Sequence, residues 1–261
     1  MTSTAATAHN APSRIETMVL AIAAMLDGLG HVAVGARSPI PGSAAHLAHV
    51  RSGGRLRVSI LGSRKHSSFT DGARELFDCA GQGRIDAFFL SGGQIDGQAN
   101  INLVGVGDIA DYPRASARFP GSFGSAYLYY VVPRVILFHQ EHSPRTLVPK
   151  VDFISAPGTS PPGVHRSGGP YALVTSLGVF RFQRERARFT LASTHPGVSR
   201  KDIRVATGFD YDEPEVVPTT PGADKGTLTL LRSDIAHTIA DTYPAFAARE
   251  WGIGGPKGRH P

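Results

Sequence analysis

Between Ser13 and Gly107 the sequence switches repeatedly between a helical period and a strand period, and no other feature constrains its fold as tightly. The run opens on "SRIE", a capping box: the Ser13 hydroxyl can accept from the amide three residues on, and Glu16 can reach back. Ile15, Met18, Val19, Ile22, Leu26 and Leu29 then recur at helical spacing, and Gly28 or Gly30 ends the helix. A strand "HVAVG" follows, then "SPIPGSAAHLAHV", whose prolines and glycine predict a loop before a short helix. Strand "RLRVSILG", helix "TDGARELFDCAG" and strands "DAFFLSGG" and "NINLVGVG" continue the series with short connections, which predicts an α/β fold. From Tyr127 the second half is β-rich, with strands predicted in "YLYYVV", "RVILFH", "KVDFIS", "YALVTS", "GVFRF" and "RFTLAST". "SRKDIRVATG" predicts a helix capped by Ser199 and stopped by Gly208, and "SDIAHTIADTYPAFAAREW" a last helix interrupted near Pro244. "GVHRSGG" and "PTTPGAD" read as surface loops.

At 261 residues, 41% hydrophobic and 18% charged, the chain suits one domain with a sizeable core. Residues 1–12, rich in Ala, Thr and Ser without periodicity, read as a disordered tail, and 13–261 as the domain. A net charge of +6 favours anionic partners, but the basic residues are scattered apart from "RFQRERAR", and aromatics make up only 8%. That combination argues against nucleic acid. The single cysteine, Cys79, excludes intramolecular disulfides and cysteine-rich zinc sites, and reads as a buried, inert thiol. No apolar run reaches the roughly 18 residues of a membrane span, and "MVLAIAAML" follows Glu16 instead of a basic leader, so we expect a cytoplasmic protein with no membrane partner.

Three motifs invite chemistry and fail on their surroundings. "GVGDIA" matches a dinucleotide fingerprint, but Asp108 and Asp111 put negative charge where a pyrophosphate would sit, and Pro113 discourages the helix the motif requires. "HQEH" supplies His139, Glu141 and His142 at a strand end without a clear third ligand, so no metal is expected. His46, His66 and His165 stand alone, and neither a G-x-S-x-G elbow nor a phosphate-binding P-loop is present. Two glycine-rich segments remain, "SGGQIDGQANIN" (Ser91 to Asn102) and "RFPGSFGSAY". They are open to two readings: tight turns of a β-rich domain, or loops presenting backbone amides to an oxyanion or a thioester carbonyl.

In combination, "GGQIDGQANIN", "GD...YPRASARFPGSFGSA", "FHQEH...VPKVDFISAPG" and "VAVGARSPIPGSAA" resemble the β-subunits of family I CoA-transferases, particularly the glutaconate CoA-transferase branch, in order from about His31 to about Gly208. The resemblance implies an open twisted α/β sheet with flanking helices, and a partner α-subunit of similar fold in a heterodimer or heterotetramer. It also implies an acyl-CoA site at the subunit interface. Coenzyme A would enter as part of the substrate, with no permanently bound cofactor. On this reading Gly92, Gly93, Gln94, Asp96 and Asn100 shape one wall of the substrate site, and Gly121, Ser122, Phe123 and Gly124 form the neighbouring loop.

The chain departs from the family at one decisive place. The transferases carry a nucleophilic glutamate at the end of the second strand, in a Glu-Ser-Gly or Glu-Asn-Gly turn; here the sequence is "VSILGSRKHSS", with Ile60 in that position. No Asp or Glu occurs between Asp27 and Asp71, and Ser59, Ser63 or His66 would each need a base and an orienting partner. A related branch, the ring-opening hydrolases of bacterial steroid degradation, cleaves a carbon–carbon bond of a CoA thioester with the working carboxylate on the α-subunit. Three readings are therefore open: a CoA-thioester hydrolase or lyase subunit, a transferase whose carboxylate sits on the partner, and a non-catalytic structural subunit.

Overall fold

A computed structural model describes residues 11–108 and 114–254, so the tail expected at residues 1–12 lies almost wholly outside the described residues. The alternating half folds as α1 (Arg14–Ala24), β1 (His31–Val34), α2 (Pro39–Arg51), β2 (Arg57–Ile60), α3 (Gly72–Gly81) and β3 (Ala87–Leu90). The capping box is formed: the Glu16 amide donates to Ser13 Oγ at 3.1 Å and the Ser13 amide to Glu16 Oε2 at 2.8 Å. After β3 come two small ribbons, β4 (Gln94–Ile95) with β5 (Ile101–Asn102) and β6 (Gly105–Val106) with β7 (Ala117–Arg118), then α4 (Ser125–Val131). The second half contributes β8 (Arg134–His139), β9 (Pro170–Thr175), β10 (Gly178–Gln183) and β11 (Arg188–Thr194). It ends with α5 (Arg200–Ala206), α6 (Lys225–Leu230), a π-helical turn Leu231–Ile235, α7 (Ala236–Ala240) and α8 (Pro244–Trp251).

Seven strands make one sheet in the order β11-β10-β9-β8-β3-β1-β2, parallel from β2 to β9 and antiparallel beyond. Alternate residues of its central strands feed separate cores. Val32, Val34, Phe89 and Ile136 join α1, α2 and the C-terminal helices, while Ala33, Phe88, Leu90, Val135 and Leu137 face α3 and α4. A parallel sheet covered on both faces needs this continuous apolar composition. Each outer strand has a cover. At β11, Leu191 N donates to Asp212 O and Thr194 N to Pro218 O; at β2, Ile60 N donates to His66 O at 2.7 Å. No helix among the described residues is long and apolar enough to cross a membrane.

Three expectations are corrected. "YLYYVV" is the helix α4, because Leu128, Tyr129 and Val132 fall on one helical face and are buried with the α3 core, which outweighs the strand preference of Tyr and Val. "KVDFIS" forms no strand; its flanks bind across the glycine-rich loop instead, Val148 N to Ile95 O and Ser155 N to Ile101 O. Helix α2 begins at Pro39, so "PIPG" is its first turn and not a loop: a proline at the first helical position loses no hydrogen bond.

Candidate active site

Chain direction makes the site. From β1 the chain moves outward to β2, then returns past β1 to β3, so the loops after β1 and β3 part company and leave a crevice at the carboxyl ends of the strands. A cavity of about 480 Å³ occupies it. Gly35, Arg37 and Ser38 come from the loop after β1, Leu61 from the end of β2, and Leu90 and Ser91 from the end of β3. Phe123, Gly124 and Ser125 close it from the start of α4, and Leu76, Phe77, Phe88 and Phe138 supply apolar walls. Among the described residues Arg37 is the one charged group in this lining, and no carboxylate is part of it. The amides of Phe123 and Gly124 make no hydrogen bond among the described residues, whereas Gly121 N donates to Leu103 O and Ser125 N to Ser122 O.

At the end of β2, where the resemblance led us to expect a nucleophile and the sequence has Ile60, two neighbouring residues have different fates. Ile60 is fully buried with Ile239 and Tyr243 in the α2-side core, and Leu61, one residue on, is the side chain at the cavity. Ser59 does have partners. His31 Nε2 lies 2.8 Å from Ser59 Oγ, His31 Nδ1 meets the Arg84 carbonyl at 3.2 Å, and Ser68 Oγ is 2.6 Å from Ser59 Oγ. Nδ1 therefore carries the proton and Nε2 accepts from Ser59. Burial, with Arg57 adding, lowers the His31 pKa, which favours the neutral ring. Ser59 itself is fully buried, so the chain of bonds fastens β1, β2 and the Ser68 segment together.

The first glycine-rich stretch turns most of its polar groups on itself. Asp96 Oδ1 accepts from the amides of Gln98 and Asn100, both at 3.0 Å, and Asp96 Oδ2 accepts from Asn100 Nδ2 at 3.1 Å. Gln94 Oε1 accepts from Asn102 Nδ2 at 2.7 Å and from the Asp152 amide at 3.0 Å, while Gln94 Nε2 donates to Asp152 Oδ2. Asn100 Oδ1 takes the Gly158 amide, and Tyr129 donates its hydroxyl to Ala99 O at 2.8 Å. A Cβ on Gly93 would run into the Phe119 ring, so that glycine admits the β6–β7 ribbon. Asp96 and Asn100 line a different, polar cavity with Lys150, Arg186 and Arg188. Of the expected site residues, then, Phe123 and Gly124 reach the strand-end cavity directly. Gly92, Gly93 and Gln94 stand behind it as the support of the loop leaving Ser91. Arg37 and Phe138 lie in segments that carry the resemblance and Leu61 in the one that departs from it, but none is singled out there, and nothing local marks Phe77, because their convergence depends on strand order.

The histidines of "HQEH" do not converge. His139 Nδ1 turns to Glu141 O at 2.7 Å, and His142 lies between Thr175 Oγ1 and Thr207 Oγ1, its pKa pushed down to about 4 by burial and by His195. Among the described residues no group of three or more His, Cys, Asp or Glu could hold a metal ion. Cys79 is free and buried.

Residues 42–206 match the family profile described as Coenzyme A transferase, a span that holds most of α2, the outer walls of the strand-end cavity and every strand of the sheet except β1. The chain belongs to this family. It is 33% identical over 165 residues to the B subunit of the 3-oxoadipate CoA-transferase of Pseudomonas knackmussii, covering 60% of this chain and 62% of that one. To the B subunit of the glutaconate CoA-transferase of Acidaminococcus fermentans it is 31% identical over 154 residues, 56% of each. It thus spans less than two thirds of the length of either relative. Among solved structures, the AibA/AibB decarboxylase superimposes with a TM-score of 0.72 at 25% identity, over 84% of this chain and 93% of that one. The open α/β sheet and the family read from the motifs are both borne out.

Proposed function

We propose that this Coenzyme A transferase family chain is the β-type subunit of a two-chain enzyme acting on an acyl-CoA thioester, and that it supplies the acyl cavity without supplying a nucleophile. The observation that carries this reading is the strand-end cavity, whose lining among the described residues holds one arginine, apolar rings and the Phe123–Gly124 turn, and no carboxylate. Covalent CoA transfer requires a carboxylate within attacking distance of the thioester, and Leu61 occupies the strand end here. Cleavage of a carbon–carbon bond next to the thioester makes a different demand. It leaves negative charge on the thioester oxygen, and each well-aimed amide donor lowers that barrier by about 2.7 to 4 kcal/mol. On this reading the Phe123 and Gly124 amides, which make no hydrogen bond among the described residues, would be the donors on this chain, and the acid–base carboxylate would come from the α-subunit. The resemblance to a decarboxylase supports this lyase or hydrolase chemistry. The resemblance to the B subunits of two transferases supports the second reading, transfer through a carboxylate of the partner.

The test uses the complex that co-purifies with this chain. It is incubated with a panel of acyl-CoA esters and quenched in acid, and both the small-molecule products and the intact mass of each subunit are measured. The expected result is turnover of at least one ester with no CoA adduct on this chain. An adduct on any of its carboxylates would restore covalent transfer chemistry to it. A monodisperse chain without a partner that turns over the esters would remove the two-chain requirement.

A further inference from the structure

We propose that Phe123 is the specificity-determining residue of the strand-end cavity, a ring set across its mouth that limits the length of the acyl group admitted. The proposal rests on the acyl-CoA reading above and goes further by naming what selects among acyl groups.

Two unfavourable features meet in this residue. Phe123 has a φ of 44°, a left-handed backbone that disfavours any residue with a Cβ, and its ring is 84% exposed, more than any other large hydrophobic side chain described. A glycine would relieve the strain and remove the exposed ring together. Both burdens fall on a residue that lines the cavity, and a ring that lines a cavity while remaining largely exposed is a ring at its mouth. Strained backbone of this kind persists where the surroundings over-determine it.

The surroundings here do so. Gly124 presses so closely on Phe77 that a Cβ would overlap the ring, which fixes the chain immediately after Phe123. Gly121 N is tied to Leu103 O and Ser122 O to Ser125 N, which fixes the chain before it and beyond it. Phe77 meets Phe123 with ring centroids 5.7 Å apart, and Tyr127 meets Phe77 edge-on at 5.8 Å. The ring of Phe123 therefore leans on one aromatic neighbour and leaves its outer face bare. Phe77, Phe88 and Leu128 line the same cavity as Phe123, so an acyl group seated among them shares its space with this ring. On this proposal a short acyl group seats without touching the ring, and a longer one must displace it from a segment pinned on both sides.

The experiment measures binding of acetyl-, butyryl-, hexanoyl- and octanoyl-CoA by calorimetry, using the co-purified complex carrying wild-type chain, Phe123→Gly or Phe123→Trp. In wild type the longer esters should bind more weakly than the shorter. Phe123→Gly should shift the octanoyl-to-butyryl affinity ratio by about tenfold toward octanoyl, one factor of ten per 1.4 kcal/mol of relieved contact, and Phe123→Trp should move it the other way. Phe123→Gly should also raise the melting temperature, since it removes the left-handed strain. If wild type binds the esters but both variants keep its ratio, Phe123 is a surface ring and this proposal falls while the acyl-CoA reading stands. If Phe123→Gly no longer assembles with the partner, the ring is an interface contact and the proposal is likewise overturned. If wild type binds none of the esters, the acyl-CoA reading fails and carries this one with it.

Discussion

Replacing His46 with leucine should flatten the acid side of the stability profile by a calculable amount. His46 sits on α2 at 6% exposure, its Nε2 has no hydrogen-bond partner, and its ring meets His66 edge-on at 4.5 Å. Burial, with His66 and His49 adding, pushes its pKa from 6.5 down to about 4. Between those values the unfolded chain binds a proton that the folded chain refuses, so the unfolded state holds more protons and stability falls as pH falls. Relative to neutral pH the loss is about 2 kcal/mol at about pH 5 and about 3 kcal/mol at about pH 4, below which both states are protonated and it levels off. His46→Leu removes that titration. Urea unfolding can be followed by fluorescence of Trp251, the sole tryptophan, which packs edge-on against Phe246 at 5.4 Å. Between about pH 7.5 and pH 5 the wild type should lose about 2 kcal/mol more than the variant. Parallel profiles for the two proteins would refute the argument, because every other histidine is common to both.

Glu16 is nearly buried, accepts from Arg232 Nε and Nη2, both at 2.7 Å, and from Trp251 Nε1 at 3.2 Å. Burial opposes its ionisation, but Arg232 and the Ser13 amide prevail and hold its pKa below the usual value. That contribution is therefore present above the unfolded value near 4.5 and is lost as pH falls through the folded one. Glu16→Gln should cost about 2 kcal/mol at neutral pH, discounted from the cost of breaking a fully buried pair because Arg232 is a third exposed, and urea titration would show it. Gly93→Val drives a side chain into the Phe119 ring and should cut turnover on an acyl-CoA by between about ten- and a hundredfold with an unchanged far-UV circular dichroism spectrum; unchanged turnover would make that loop a turn only.

What is legible in the sequence is whatever is decided within one turn of chain. The Ser13–Glu16 cap is local, so α1 begins where its sequence says. Helix α4 is not legible in this way, because the information that makes "YLYYVV" helical lies in α3, some fifty residues earlier, against which Leu128 and Tyr129 pack. The strands of the sheet show in their apolar composition, but their order does not, and the cavity is a product of order. That is why a glycine-rich loop points to Phe123 and Gly124 and the end of the second strand points to the neighbourhood of Leu61, while nothing local points to Phe77. The loop from Ser91 to Asn102 is legible as an unusual turn. Its asparagines and Asp96 bind mainly one another and the 146–158 segment, a pairing that composition does not reveal.

The covers on the two outer strands decide how this molecule can meet another. β11 has given amides and carbonyls to the segment around Asp212 and Thr219, and β2 is four residues long with its last amide held by His66. Neither side offers the long unpaired row on which a foreign strand could be laid. A second chain cannot therefore extend this sheet into a continuous one across the contact, and self-association by strand exchange is discouraged for the same reason. Assembly is left to helix faces and to the strand-end loops. The mouth that receives small molecules thus opens on one of the few faces through which a partner can approach, and docking of a protein there and entry of a ligand become competing or cooperating events on shared ground.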